Sequence, residues 1–246
     1  MYLIGDIGNT ETKICLFQKD KFIFRKVQFE TKKMSQKYLV NQLKILKGKK
    51  ILNKNILFSS VVPKAYRIVK KVLKNDFNLK SVELKELNIS KFIKIKVNKK
   101  QVGSDRIANA IGVSNGKNNY IVIDLGTATT FDVIVKNQYL GGVIAPGLDL
   151  SLKTLSSSAS LIPVVKFNKI KKVVGKNTTT AVRSGFYWGY IGLINNILKL
   201  IKIETKKSFK IIITGGYSHF LYKMIKNKTA VKKDLTVLSL LKIVKN

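Results

Sequence analysis

Two stretches of this chain read as copies of one another, and that repetition limits the possible fold more than any other feature of the sequence. DIGNTETKICLF, from Asp6 to Phe17, aligns without a gap on DLGTATTFDVIV, from Asp124 to Val135, which puts Asp6 over Asp124, Gly8 over Gly126 and Thr10 over Ala128. Each copy is an apolar run ending in an acid, then a glycine bend, then a second apolar run, the pattern of a β-hairpin. Strand and helix signals follow each hairpin. After the first come Ile56–Pro63 as strand and serine turn and Lys64–Leu79 as an amphipathic helix; after the second, the segment Asn177–Gly185 caps a long helix running to Ile201, and Lys210–Gly216 reads as a buried strand. Repeated strands followed by helices predict an α/β fold of two related domains with a cleft between them. The Gly-Asn-Lys cluster at Asn115 to Asn119 marks the boundary, giving domains 1–116 and 117–246.

The richest chemistry lies around that boundary, from Gly103 to Asp132. Asp105, between Ser104 and Arg106, stands where the apolar-periodic run of Ile107, Ala108 and Ile111 begins, so Ser104 or Asp105 is expected to cap a helix. Tyr120–Asp124 reads as a buried strand ended by an acid. The turn after it, from Leu125 to Thr130, supplies a glycine for close backbone approach and threonine hydroxyls suited to phosphate oxygens. Only 13 acids stand among 246 residues, yet Asp6, Asp105, Asp124 and Asp132 all fall beside glycine- or threonine-rich turns. That concentration points to a nucleotide-phosphate and cation site.

Composition removes other chemistries. Cys15 is the only cysteine and His219 the only histidine, so there is no disulfide within the chain, no thiolate or paired-histidine metal site, and a poor basis for a nucleophile triad. Neither GxxxxGK[ST] nor GxGxxG occurs. The N-terminus reads as a first strand rather than a signal peptide, and the apolar stretch Phe186–Ile201, interrupted by Asn195, Asn196 and Lys199, reads as a buried or subunit-interface helix rather than a membrane span. A reducing cytoplasm suits this chain, with no membrane partner. The formal net charge of +34 raises the prior for nucleic-acid contact, but only Arg25, Arg67, Arg106 and Arg183 could fork onto phosphate or read bases, while lysine is scattered throughout. A solvated surface is favoured over a nucleic-acid face.

The ordered blocks DIGNT (Asp6–Thr10), SSVVP (Ser59–Pro63), GSDRIANA (Gly103–Ala110), DLGTATTFD (Asp124–Asp132), GGVIAPG (Gly141–Gly147), Asn177-Thr178 with Ser184-Gly185, and TGG (Thr214–Gly216) resemble the type III pantothenate kinases. These belong with acetate kinase, sugar kinases, large heat-shock chaperones and actin. The resemblance implies two duplicated ribonuclease H-like, actin-like ATPase domains and ATP-dependent phosphorylation of pantothenate to 4′-phosphopantothenate, the first step of coenzyme A biosynthesis. By that resemblance Asp6, Ile7, Gly8, Asn9, Thr10, Glu11, Thr12 and Lys13 form an ATP-phosphate segment, with Asp6 near Mg2+ through water, and Thr127 also contacts ATP. Gly103, Ser104, Asp105, Arg106 and Thr178 contact pantothenate, Asp105 accepts the proton of its alcohol, and Asp124 holds a monovalent cation, K+ or NH4+. A homodimer is implied.

Each assignment has a plainer rival. Asp6 and Asp124 are also ordinary turn formers, Lys13 a solvent-facing strand residue, and Thr178 a cap of the helix that follows. Asp105 could be an N-cap, but Ser104 offers that role, which favours Asp105 as base. Departures are local: Lys96–Val102 lacks the family's tyrosine and Asn-Pro pair, Ser104 stands where alanine is usual, and Leu238-Ser239 replaces a Glu-Gly. A non-catalytic regulator or nucleic-acid-binding relative is the alternative, and a kinase of the same superfamily acting on another alcohol is a third.

Overall fold

The computed structural model describes residues 1–18, 23–225 and 229–246; Lys21 and Phe22, at the head of the expected third strand, and Lys226, at the end of the helix expected from Tyr217, lie outside them. The chain forms two compact units. The first comprises Met1–Asn115, Asn137–Tyr139 and Asp234–Asn246, and the second Gly116–Lys136 and Leu140–Lys233.

In the first unit, β1 (Tyr2–Ile7), β2 (Glu11–Phe17) and β3 (Ile23–Glu30) run antiparallel, and β4 (Ile56–Ser60) and β5 (Val82–Glu83) extend the sheet in parallel, in the order β3-β2-β1-β4-β5. β1 is a continuous apolar run because it sits mid-sheet with both faces covered. Helices α1 (Gln36–Gln42), α2 (Pro63–Phe77) and α3 (Ser104–Val113) belong to this unit. α2 opens with Pro63 in the first turn, where a missing N–H costs nothing, and buries Ala65, Tyr66, Val69, Val72 and Leu73 along one face. Asn78, in the left-handed region at φ 51°, ends it. Of the strand expected over Ser90–Val97 only β6 (Lys94–Ile95) forms, paired in parallel with Gln138 and Tyr139.

The second unit repeats the plan. β7 (Tyr120–Leu125), β8 (Ala128–Val135) and β9 (Gln138–Pro146), followed by β10 (Lys210–Gly215) and β11 (Thr229–Val231), stand in the order β11-β10-β7-β8-β9. Read strand for strand, β7, β8, β9, β10 and β11 occupy the places of β1, β2, β3, β4 and β5, and β1 and β7 share one burial pattern. Five strands of each sheet thus follow one order, the ribonuclease H-like one that the resemblance implies. Helices α4 (Leu148–Ser158), α5 (Thr178–Thr205) and the short α6 (Ser218–Leu221) complete this unit. The side chain of Asn177 accepts the Thr180 N–H while the Thr180 hydroxyl takes the Asn177 N–H, a capping box that fixes where α5 begins.

The register shows where the gapless alignment fails. Asp6 faces Lys13 across the first hairpin, whereas Asp124 faces Thr130 across the second. The second turn is one residue shorter, so Ala128 stands in the place of Glu11, not of Thr10, and the buried Thr12 corresponds to the buried Thr129.

The last helix, α7 (Leu235–Lys245), belongs to the first unit. A Cβ on Gly112 would lie 1.8 Å from Ser239 Oγ, so α3 and α7 pack close enough to require glycine there. Thr236 donates to Asn109 Oδ1 at 3.0 Å, and Lys26 pairs with Asp234 at 3.0 Å at the head of α7.

Candidate active site

Asp105 lies in the first turn of α3, but the helix is capped otherwise than expected. Gly103 is the N-cap residue with no side-chain bond, and the Ser104 hydroxyl is buried and donates to the Ser60 carbonyl at 3.1 Å. Ser104 therefore ties α3 to the end of β4 rather than capping its own helix. Asp105 Oδ1 accepts the Arg106 N–H at 2.8 Å. A Cβ on Gly103 would stand 2.4 Å from that same oxygen, so the carboxylate occupies space that only glycine leaves open. Burial pushes the Asp105 carboxyl above the usual carboxylate range, while the Arg106 backbone bond, the Arg106 guanidinium and Lys85 act in the opposite direction. A carboxylate with a raised pKa is a better proton acceptor toward an alcohol than one exposed to water.

The first hairpin places Asp6, half-buried, on the next-to-last residue of β1, facing Lys13 on one side and Ser59 on the other. The Gly8 N–H closes the turn on the Glu11 carbonyl at 2.9 Å, so that donor is used within the turn. Asn9 and Thr10 are exposed at the tip. The Thr31 hydroxyl meets Gly8 O at 2.7 Å and Thr12 Oγ1 at 2.9 Å, fixing the turn from behind. Ile7 and Thr12 are fully buried, and what they offer a ligand is backbone. Lys13 pairs with Glu11 at 3.3 Å, and Gln28 donates to the other Glu11 oxygen at 2.6 Å.

The second hairpin places Asp124 at the matching position of β7. Its Oδ1 would lie 2.6 Å from a Cβ on Gly215, a residue at φ 89°, and 3.5 Å from one on Gly126. The Gly126 N–H again closes its own turn, on Ala128 O at 3.1 Å. Exposed Thr127 follows; its carbonyl accepts the Gly147 N–H at 3.1 Å at the head of α4. A Cβ on Gly147 would lie 2.3 Å from the carbonyls of Gly126 and Thr127, so GGVIAPG ends in glycine because α4 starts against this turn. Tyr217, after the Gly215-Gly216 turn, donates to Asp149 in the first turn of α4. Thr178 is exposed at the first position of α5.

Sequence reasoning did not assign Gly215 and Gly147 as packing partners of the Asp124 turn; the TGG and APG blocks carried the signal, but the close approaches exist only in three dimensions. Cys15 is buried, and burial pushes its thiol up to about 11, so it holds no thiolate at neutral pH. Among the described residues no three histidine, cysteine or acidic side chains cluster as a metal cage. Single carboxylates such as Asp6 instead fit a hard cation that keeps waters and takes phosphate oxygens as its other ligands.

Carboxylates on matching hairpins and a half-buried acid at a glycine-capped helix start suit phosphoryl transfer, which needs alignment and charge neutralisation more than covalent catalysis. The sequence profile of type III pantothenate kinases matches residues 2–200. The chain belongs to that family. A type III pantothenate kinase from Pelagibacter ubique is 54% identical over 245 residues, covering 98% of each chain. As a family member the protein is a kinase that transfers phosphate to pantothenate. Among solved structures, a Baf family transcriptional activator from Campylobacter jejuni is similar with a TM-score of 0.63 at 22% identity, covering 99% of this chain and 97% of that one. An inorganic polyphosphate/ATP-glucomannokinase from Arthrobacter is similar with a TM-score of 0.53 at 10% identity, covering 99% and 98%. At these identities the likeness is one of fold. Among the described residues no helix is long and apolar enough to cross a membrane.

Proposed function

We propose that the kinase converts pantothenate to 4′-phosphopantothenate with Asp105 as general base, the copies 1–116 and 117–246 each supplying one carboxylate-bearing hairpin. The observation that carries this reading is the Asp105 carboxylate, desolvated and seated over Gly103 at the start of α3. Asp105 accepts the proton of the pantothenate hydroxyl as its oxygen forms a bond to the γ-phosphorus; the bond from that phosphorus to the bridging oxygen breaks and ADP leaves. Gly103, Ser104, Arg106 and Thr178 orient pantothenate. Asp6, with the backbone and side chains from Ile7 to Lys13, and Thr127 hold the ATP phosphates. Asp6 would hold Mg2+ through water and Asp124 a monovalent cation, K+ or NH4+; when bound, these cations neutralise phosphate charge. Lys13 is held beside the hairpin tip by Glu11, which supports a role at the phosphates over a free surface lysine.

The protein acts in the cytoplasm as a homodimer with no nucleic-acid partner. Support for the dimer comes from the second unit, where α5 exposes Trp188, Leu200 and Ile203 and, with Leu155 of α4, lines an apolar groove of about 320 Å³ along Val182, Gly185, Phe186, Gly189 and Leu193. Exposed apolar area of this kind marks interfaces.

A coupled ADP-release assay tests the reading. Turnover with pantothenate, dependent on K+ or NH4+ and absent with other small alcohols, is expected. ADP release indifferent to pantothenate would refute the substrate, and turnover unaffected by monovalent cations would refute the role of Asp124.

A further inference from the structure

Glu83 lies outside every block of the family pattern and sits on the two-residue edge strand β5, paired through Phe58 to β4. Its carboxylate nevertheless works in two directions. Oε1 accepts the Ser60 N–H at 3.3 Å and Oε2 the Lys85 N–H at 2.7 Å. The first contact holds the turn after β4. There the Ser60 hydroxyl closes on Val62, with the Val62 N–H donating to it at 3.1 Å, and the Ser60 carbonyl takes the buried Ser104 hydroxyl at 3.1 Å. Val61, next in that turn, stands 3.4 Å from where a Gly103 Cβ would be. The second contact holds Lys85, whose ammonium donates to the Lys100 carbonyl at 3.3 Å in the turn leading into Gly103. One carboxylate therefore braces the approach to α3 on one side through Ser60 and Ser104, and on the other through Lys85 and Lys100. Buried Ser81 and Leu84 anchor the two ends of this edge strand, and the Glu83 carboxylate carries that anchorage to the Ser60 turn and to Lys85.

We infer that Glu83 is a positioning residue for the phosphoryl-transfer step, holding the Ser60 turn and the Lys100 loop so that the Asp105 carboxylate stays in its seat over Gly103. The inference rests on Asp105 being the base. Losing the brace leaves the Ser60 N–H without its acceptor and lets the start of α3 drift. Misplacing a reacting group by about 1 Å costs up to roughly 100-fold in rate.

A double-mutant cycle in the full-length kinase tests this, with kcat and the KM for ATP measured for wild type, Glu83→Ala, Asp105→Asn and the double variant. Glu83→Ala is expected to lower kcat about 10- to 100-fold with the KM for ATP unchanged, and to lower it no further once Asp105 is asparagine. Glu83→Gln, which keeps one acceptor oxygen and the side-chain volume, is expected to fall between wild type and alanine. It replaces alanine in the cycle if Glu83→Ala fails to fold. Equal fold-losses in both backgrounds would mean that Glu83 only stabilises the unit, and would overturn the inference; so would wild-type kcat in the Glu83 variants. Wild-type turnover in Asp105→Asn alone would instead remove the base assignment, a failure visible without the Glu83 arms.

Discussion

Among single residues, Asp105 in its seat over Gly103 is the one on which the proposed chemistry depends. Because burial raises its pKa, kcat should fall on acidification with a midpoint above the ordinary carboxylate range, measured as the acid limb of a pH–rate profile. The same shift has a stability consequence. The folded state binds the Asp105 proton more tightly than the unfolded chain does, so the associated stability is complete below the unfolded pKa and is lost as pH rises through the raised folded value. Asp105→Asn should therefore melt at a higher temperature than wild type at neutral pH, with the difference vanishing in acid. Gly103→Ala tests the seat itself. At φ −59° and ψ 144° the backbone accepts alanine, so the methyl group, 2.4 Å from Oδ1, must displace the carboxylate. A fall in kcat of about 10-fold with little change in melting temperature is expected; unchanged turnover would show that the carboxylate need not lie there.

Among the elements, the hairpins and long helices were legible and the short edges were not. The repeat around Asp6 and Asp124 could be read because a buried strand ended by an acid and a glycine turn leaves a strong pattern. The one-residue difference in turn length could not, since cross-strand register is set by pairing and leaves no mark in composition. β5, two residues long, is too short for any alternation to show, and Glu83 escaped notice with it; of the strand expected over Ser90–Val97 only the two residues of β6 pair. The role of Ser104 was misread because a serine at a helix start fits a cap, and only its burial against Ser60 reveals the other partner. The start of α5 was legible in the polar run from Asn177, but that Asn177 is the N-cap and closes a capping box with Thr180 shows only in the structure. Asn177→Ala should cost about 1 kcal/mol in denaturant unfolding. By fraying the turn that carries Thr178, it should also raise the KM for pantothenate more than that for ATP. Equal effects on both would separate Thr178 from the pantothenate side.

For the molecule as a whole, two related sheets each present an acid at one strand end, and the family assignment explains why the duplication carries two such hairpins. The net charge of +34 is spread over lysines rather than gathered into arginine forks, so its expected effect is a field drawing in anionic nucleotide. The KM for ATP should rise with added salt while kcat holds, because screening weakens long-range attraction and leaves the bound geometry intact. A salt-independent KM would leave the charge without that role. If the proposed homodimer forms through α5, replacing Trp188 and Ile203 by glutamate should give a monomer in sedimentation equilibrium, and a monomeric wild type would refute the proposed interface. The most direct test of the central claim is a single-turnover experiment with enzyme in excess over labelled ATP, following phosphate transfer to pantothenate by wild type and Asp105→Asn. Transfer to the pantothenate hydroxyl by wild type is expected, with a rate constant about 10²- to 10⁴-fold lower in the variant while ATP still binds. Transfer at the wild-type rate without the carboxylate would contradict it.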